Sequence, residues 1–123
     1  MPVDVLIVDD SAAIRKILQR VLTQTNLALG KVVEAADGRE AIEAMKQQPV
    51  GLILSDINMP NMDGLQLLSE LKANDLWKNV PVLMISTEGS QAKVMEAVQL
   101  GAKGFVRKPF TADQIKEKLA GML

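Results

Sequence analysis

Short apolar runs alternate along this chain with stretches in which apolar residues recur every three or four positions. Val3 to Val8, "VDVLIV", has the length and branched composition of a buried strand. Ser11 to Asn26 then places Ile14, Ile17, Leu18, Val21 and Leu22 on one helix face, and Gly30 follows as a stop signal. Lys31 to Ala36 predicts a second strand. Asp37 with Glu40 predicts the capping box of a helix lined by Ala41, Ile42 and Met45. Val50 to Ser55 is a third, apolar strand, and Leu65, Leu67, Leu68 and Leu71 belong to the helix after it. Val80 to Ile85 predicts the fourth strand, with Val94, Met95, Val98 and Leu100 lining the helix that follows. Gly104 to Arg107 is a brief fifth strand. Thr111 with Gln114 opens a last helix that turns Ile115 and Leu119 inward.

Five strands alternating with five helices predict an α/β domain. Strands this apolar are covered on both faces, so the sheet is expected to be parallel. Right-handed crossovers then give an open, doubly wound sheet, whose ligands sit at the carboxyl ends of the strands. One domain over residues 1–123 is expected.

Composition narrows the class. The hydrophobic share is 48%, enough for a core, and with Trp77, Phe105 and Phe110 as the only aromatic residues that core is aliphatic. A net charge of −1 with scattered basic residues argues against nucleic acid as the main partner. The chain has no cysteine and no histidine, which excludes a disulfide scaffold, a thiolate metal site and a serine–histidine pair. No apolar run approaches the roughly 20 residues of a membrane helix, and "MPVDVLIVDD" does not read as a signal peptide. A cytoplasmic protein is expected.

The polar groups after the strands carry the chemistry. Asp9 and Asp10 follow the first strand, Asp56 the third, Ser86 and Thr87 the fourth, and Lys108 the fifth. In the order 2-1-3-4-5, a known order of doubly wound sheets rather than one the sequence dictates, the first and third strands are neighbours about 5 Å apart. Two carboxylates at that distance repel by roughly 3 kcal/mol at an effective dielectric near 20. Three acids together need a cation or a proton. The donors are all oxygen, which favours a hard ion, Mg²⁺ before Ca²⁺, and disfavours zinc. With Lys108 and a hydroxyl nearby, such a pocket suits a transferring phosphoryl group, with the central Asp56 as nucleophile. Since the chain has no histidine, the donor is another molecule.

The stretches "LIVDDS", "LILSDINMPNMDG", "VLMISTEG" and "GFVRKPF", in that order at successive strand ends, resemble the receiver domain of two-component response regulators, of the single-domain chemotaxis, CheY-like type. The resemblance covers essentially the whole chain and implies a flavodoxin-like sheet in the order 2-1-3-4-5. It implies Asp56 as phosphoacceptor, Asp10 as a direct Mg²⁺ ligand, Asp9 acting largely through water, and the Asn58 backbone carbonyl as a further ligand. It also implies Ser86 as the hydroxyl that moves toward the phosphoryl group, Lys108 as its cation before a cis Lys108–Pro109 bond, and Phe105 as the switch aromatic. Asn58, Glu88 and Thr87 occupy positions that tune dephosphorylation. Thr87 stands where relatives often have Ala or Gly, and Phe105 lacks the hydroxyl of a tyrosine switch.

The function this implies is a response regulator that takes a phosphoryl group from a histidine kinase. It then presents the face of its fourth helix, fifth strand and fifth helix to a downstream effector such as a flagellar switch component. Lys93, Glu96 and Phe105 are expected contacts there, and a monomer is expected. The chain stops soon after the fifth helix, which favours a receiver that works alone over an excised domain of a larger regulator. A small aspartyl-phosphate phosphatase is the enzymatic alternative, weakened because Asn58 stands where such enzymes often carry a second acid. A receiver that only binds a partner is the other alternative. Taken singly, Lys108 reads as a surface lysine, Ser86 as a loop hydroxyl, Phe105 as packing and Asp9–Asp10 as a solvated helix cap. Only their joint placement favours a site.

Overall fold

The computed structural model describes residues 2–87 and 91–122. Five strands, β1 (Val3–Val8), β2 (Leu29–Ala35), β3 (Leu52–Ser55), β4 (Val82–Ser86) and β5 (Gly104–Arg107), alternate with five helices. These are α1 (Ala12–Thr23), α2 (Gly38–Gln47), α3 (Gly64–Lys72), α4 (Gln91–Gln99) and α5 (Ala112–Met122). All four strand pairings are parallel, and the order is β2-β1-β3-β4-β5. The expected doubly wound sheet is therefore the observed one. Among the described residues, no helix is long and apolar enough to cross a membrane.

The period-two alternation of each strand divides the core in two. Val5, Ile7, Leu52, Leu54, Leu83, Ile85 and Val106 face α1 and α5, meeting Leu18, Leu22, Ile115 and Leu119. Leu6, Val8, Ile53, Val82 and Met84 face the other way, toward Met45, Leu67, Leu68, Leu71 and Ala97 of α2, α3 and α4. Val5, Leu6, Leu52, Ile53, Leu54 and Leu83 are fully buried because the central strands are covered on both faces. Trp77, in the loop before β4, packs against the second of these clusters.

Four local expectations are corrected. Gly30 does not stop the chain but lies inside β2, where a Cβ would strike the Asp4 carboxylate that accepts the Lys31 N–H. Asp37 caps α2 by accepting the Glu40 N–H, but Glu40 turns its carboxylate to the Ala36 N–H, so the reciprocal box is not closed there. The Asp63–Gln66 pair at the start of α3 does close one, as Thr111 and Gln114 do before α5. Ile17 on α1 is 43% exposed rather than inward. On α4, Met95 and Val98 are half-exposed and Ala97 is buried. The inward stripe is Val94, Ala97 and Leu100, and Met95 and Val98 each lie one residue, about 100°, round the helix from it. The small Ala97 sits where the helix approaches the sheet.

Boundaries moved for clear reasons. β4 starts at Val82 because Pro81 has no N–H for the ladder. α1 ends at Thr23, three residues early, where the Gln24 and Thr25 N–H groups turn back to Val21 and Leu22.

Candidate functional site

The register Val8↔Ser55 sets the ends of β1 and β3 side by side, and the Asp56 N–H donates to the Val8 carbonyl at 2.9 Å. Asp9 and Asp56 thus leave adjacent strands at the point where the chain's crossovers change direction, the crevice in which open α/β sheets hold ligands. Carboxylate oxygens of Asp9, Asp10 and Asp56 all lie within 4.8 Å of one another. Asp9 is 1% and Asp56 7% exposed, while Asp10 faces solvent.

Lys108 enters the cluster from the end of β5. Its Nζ donates to Asp9 Oδ2 at 2.7 Å and to Asp56 Oδ2 at 3.2 Å. The other oxygen of each acid is held by its own loop: Asp9 Oδ1 accepts the Ser11 N–H and Asp56 Oδ1 the Ile57 N–H. The Lys108 N–H itself donates to the Ser86 carbonyl, tying β5 to the end of β4. The Lys108–Pro109 bond is cis, as expected. Burial pushes the Asp9 carboxyl above its usual range, against the opposing bonds from Lys108 and Ser11. Burial also pulls the Lys108 ammonium down, but Asp9 and Asp56 outweigh it and raise its pKa.

One ammonium among three carboxylates leaves the cluster under-neutralised, and the donors are all hard oxygens with one side open to water. That donor set fits a divalent cation such as Mg²⁺, which keeps several of its waters.

The other expected residues fall as follows. Ser86 is fully buried at the end of β4. Thr87, just beyond it, is exposed, as is Asn58, two residues past Asp56. Phe105 is half-buried on β5, packed against the α2–α4 side of the core. Lys93 and Glu96 are exposed on α4. Glu88 lies outside the described residues.

Three supports escaped the sequence reading. Gly64, the first residue of α3, lies so close to the Asp56 loop that a Cβ would sit 1.9 Å from the Asp56 carbonyl oxygen. Asn61, at φ 65°, donates to Asp37 Oδ2 and ties that loop to the start of α2. Arg15 of α1 donates through its Nη1 to the Asp9 carbonyl and through its Nε to Glu34 Oε1 at 2.9 Å. A basic residue one turn after the cap, on the helix that follows an acid pair, was the only trace of this in the sequence.

Comparison with known proteins places this geometry. Residues 5–120 match the response regulator receiver domain. Chemotaxis protein CheY-3 of Vibrio cholerae is 39% identical over 115 residues, covering 94% of this chain and 87% of its own. A Campylobacter jejuni CheY homolog is 38% identical over 119 residues, 96% of this chain and 90% of its own. Among solved structures, Vibrio cholerae CheY4 superimposes with a TM-score of 0.89 at 34% identity over 100% of both chains. CheY in the Borrelia burgdorferi CheX–CheY–BeF₃–Mg²⁺ complex gives 0.90 at 34% identity, over 99% of this chain and 90% of that one. Similarity of this extent, in sequence and in backbone alike, admits one conclusion: the chain belongs to the response regulator receiver domains, in their CheY-like form.

Proposed function

We propose that this receiver is a phosphorylation-controlled switch in chemotaxis-type signalling, with Asp56 as its phosphoacceptor. The observation that carries the reading is the meeting of Asp9, Asp10 and Asp56 within 4.8 Å, with the Lys108 ammonium bonded to two of them. A carboxylate oxygen of Asp56 attacks the phosphorus of a histidine kinase's phosphoimidazole. The P–O bond forms as the P–N bond breaks, and the imidazole nitrogen keeps the electron pair. Asp10, Asp9, Asp56 and the Asn58 carbonyl would hold Mg²⁺, which when bound neutralises phosphoryl oxygens in transfer. Lys108, already aimed at Asp56, is the protein's own cation for the same charge.

Ser86 and Phe105 are the switch pair. The Ser86 hydroxyl gains a phosphoryl oxygen in one conformation and not the other, which is the differential interaction a population shift requires. Phe105 then moves inward from its half-buried place. Exposed Met95, Val98, Lys93 and Glu96 on α4 support a partner surface beside β5 and α5, read by an effector such as a flagellar switch component. Thr87, Asn58 and Glu88 set how long the acyl phosphate lasts. The protein works as a cytoplasmic monomer and catalyses only its own phosphorylation and dephosphorylation.

The test is acetyl phosphate with and without Mg²⁺, read by intact mass. The wild type gains one phosphoryl group only with Mg²⁺, and Asp56→Asn gains none. Full labelling of Asp56→Asn overturns the assignment.

A further inference from the structure

Two of the three clustered acids, Asp9 and Asp10, lie on a loop of three residues, Asp9 to Ser11, between β1 and α1. Each polar handle of Asp9 is engaged: its N–H donates to the Ala35 carbonyl of β2, its carboxylate holds Ser11 and Lys108, and its carbonyl accepts from Arg15. That carbonyl belongs to the peptide joining Asp9 to Asp10. Asp10 is exposed, so the direction of its carboxylate depends on how this peptide is oriented. Arg15 is itself fixed from the other side by Glu34 on β2, whose carboxyl is held below its usual range chiefly by that bond. The Arg15 side chain is only 17% exposed, unlike the solvated lysines of the surface pairs. Thus β2, α1 and the acid loop are locked together by one guanidinium, whose planar fork serves two acceptors at once.

We propose that Arg15 is a positioning residue for the acid cluster: by orienting the Asp9–Asp10 peptide, with Glu34 as its anchor, it sets the affinity of the pocket for a divalent cation. The inference rests on the reading of the pocket as a Mg²⁺ site. Residues behind metal ligands typically change affinity by 10- to 100-fold when removed. A positive charge near a cation site has the opposite effect through its field, since its removal strengthens cation binding. The direction of the change therefore separates positioning from simple electrostatics.

The experiment titrates Mg²⁺ calorimetrically into wild type, Arg15→Ala, Arg15→Lys and Glu34→Gln, with acetyl phosphate labelling rates measured across Mg²⁺ concentration. Arg15→Ala is expected to weaken Mg²⁺ binding about tenfold, with its labelling rate at saturating Mg²⁺ close to wild type. Arg15→Lys, which keeps one donor, falls between the two. Glu34→Gln, at a partly exposed position that leaves the fold intact, weakens binding by a smaller factor. Unchanged or tighter Mg²⁺ binding by Arg15→Ala, whatever Glu34→Gln does, overturns the proposal and leaves the Mg²⁺ site standing. Failure of the wild type to bind Mg²⁺ overturns the site reading itself, and this inference with it.

Discussion

Lys108 decides the electrostatics of the pocket at the scale of single residues, but it is shared between Asp9 and Asp56, and Asp10 is left to solvent and like charges. Three carboxylates within 4.8 Å of one another share a single ammonium, so removing one charge is expected to relieve repulsion among them. Asp10→Asn is expected to raise the melting temperature in EDTA by roughly 2–5 °C and to abolish the further rise produced by Mg²⁺; scanning calorimetry with and without the ion reads both. Gly64 tells the same story through space rather than charge. Its missing Cβ is occupied by the Asp56 carbonyl, a backbone atom that cannot swing aside. Gly64→Ala is expected to cost about 3 kcal/mol in urea unfolding, the upper end for overpacking, and to slow Asp56 labelling, while the neighbouring exposed Gln66→Ala does not reach that loss. Leu65 and its partners announced a helix; that its first residue had to be glycine was hidden, because the contact comes from a loop whose path the pattern does not encode.

Among the elements, α2 shows how a cap and the site loop are joined. Asp37 accepts the Glu40 N–H and the Asn61 side-chain N–H, and these bonds hold its carboxyl below the usual range. A group with a depressed folded-state pKa contributes stability that is present above its unfolded value, near pH 3.9, and is lost as pH falls through the lower folded value. Asp37→Asn keeps a capping oxygen but cannot titrate. Its stability deficit relative to wild type should be full at pH 6 and shrink below about pH 4; Asp37→Ala should lose about 1 kcal/mol or more at pH 6. Urea midpoints across that range check both. The α2 cap was legible because Asp before an apolar-periodic run is a strong local cue. The α4 face was not. Val94, Met95, Val98 and Leu100 admit two stripes, and the choice between them belongs to the sheet that α4 packs against.

At the scale of the whole fold, the central sheet separates two cores that share no side chains among the described residues. Leu68 on the α3 side and Leu119 on the α5 side are both fully buried. Leu68→Ala and Leu119→Ala are each expected to cost about 3 kcal/mol, and the double variant to give their sum within about 0.5 kcal/mol, as measured by chemical denaturation. Mg²⁺ at ten times its dissociation constant should add roughly 1.4 kcal/mol to the stability of the wild type by mass action, and chelation should remove it.

The order of strands and helices, the parallel sheet and the acids, hydroxyl and lysine at the strand ends were all readable in the chain. These features rest on local period and on residues adjacent in sequence, such as Ser55–Asp56 or Val8–Asp9, so a linear reading reaches them. The folded molecule alone decided which face α4 turns inward, that Gly30 continues β2, that Gly64 must lack a side chain, and that Arg15 reaches back to the Asp9 carbonyl. Each depends on a distance of closest approach that no hydrophobic period encodes, whether across a nearby loop, as for Gly64 and Arg15, or between distant segments, as for Gly30 and α4. Such distances follow from how the loops and helices pack against the sheet, and no local pattern contains them.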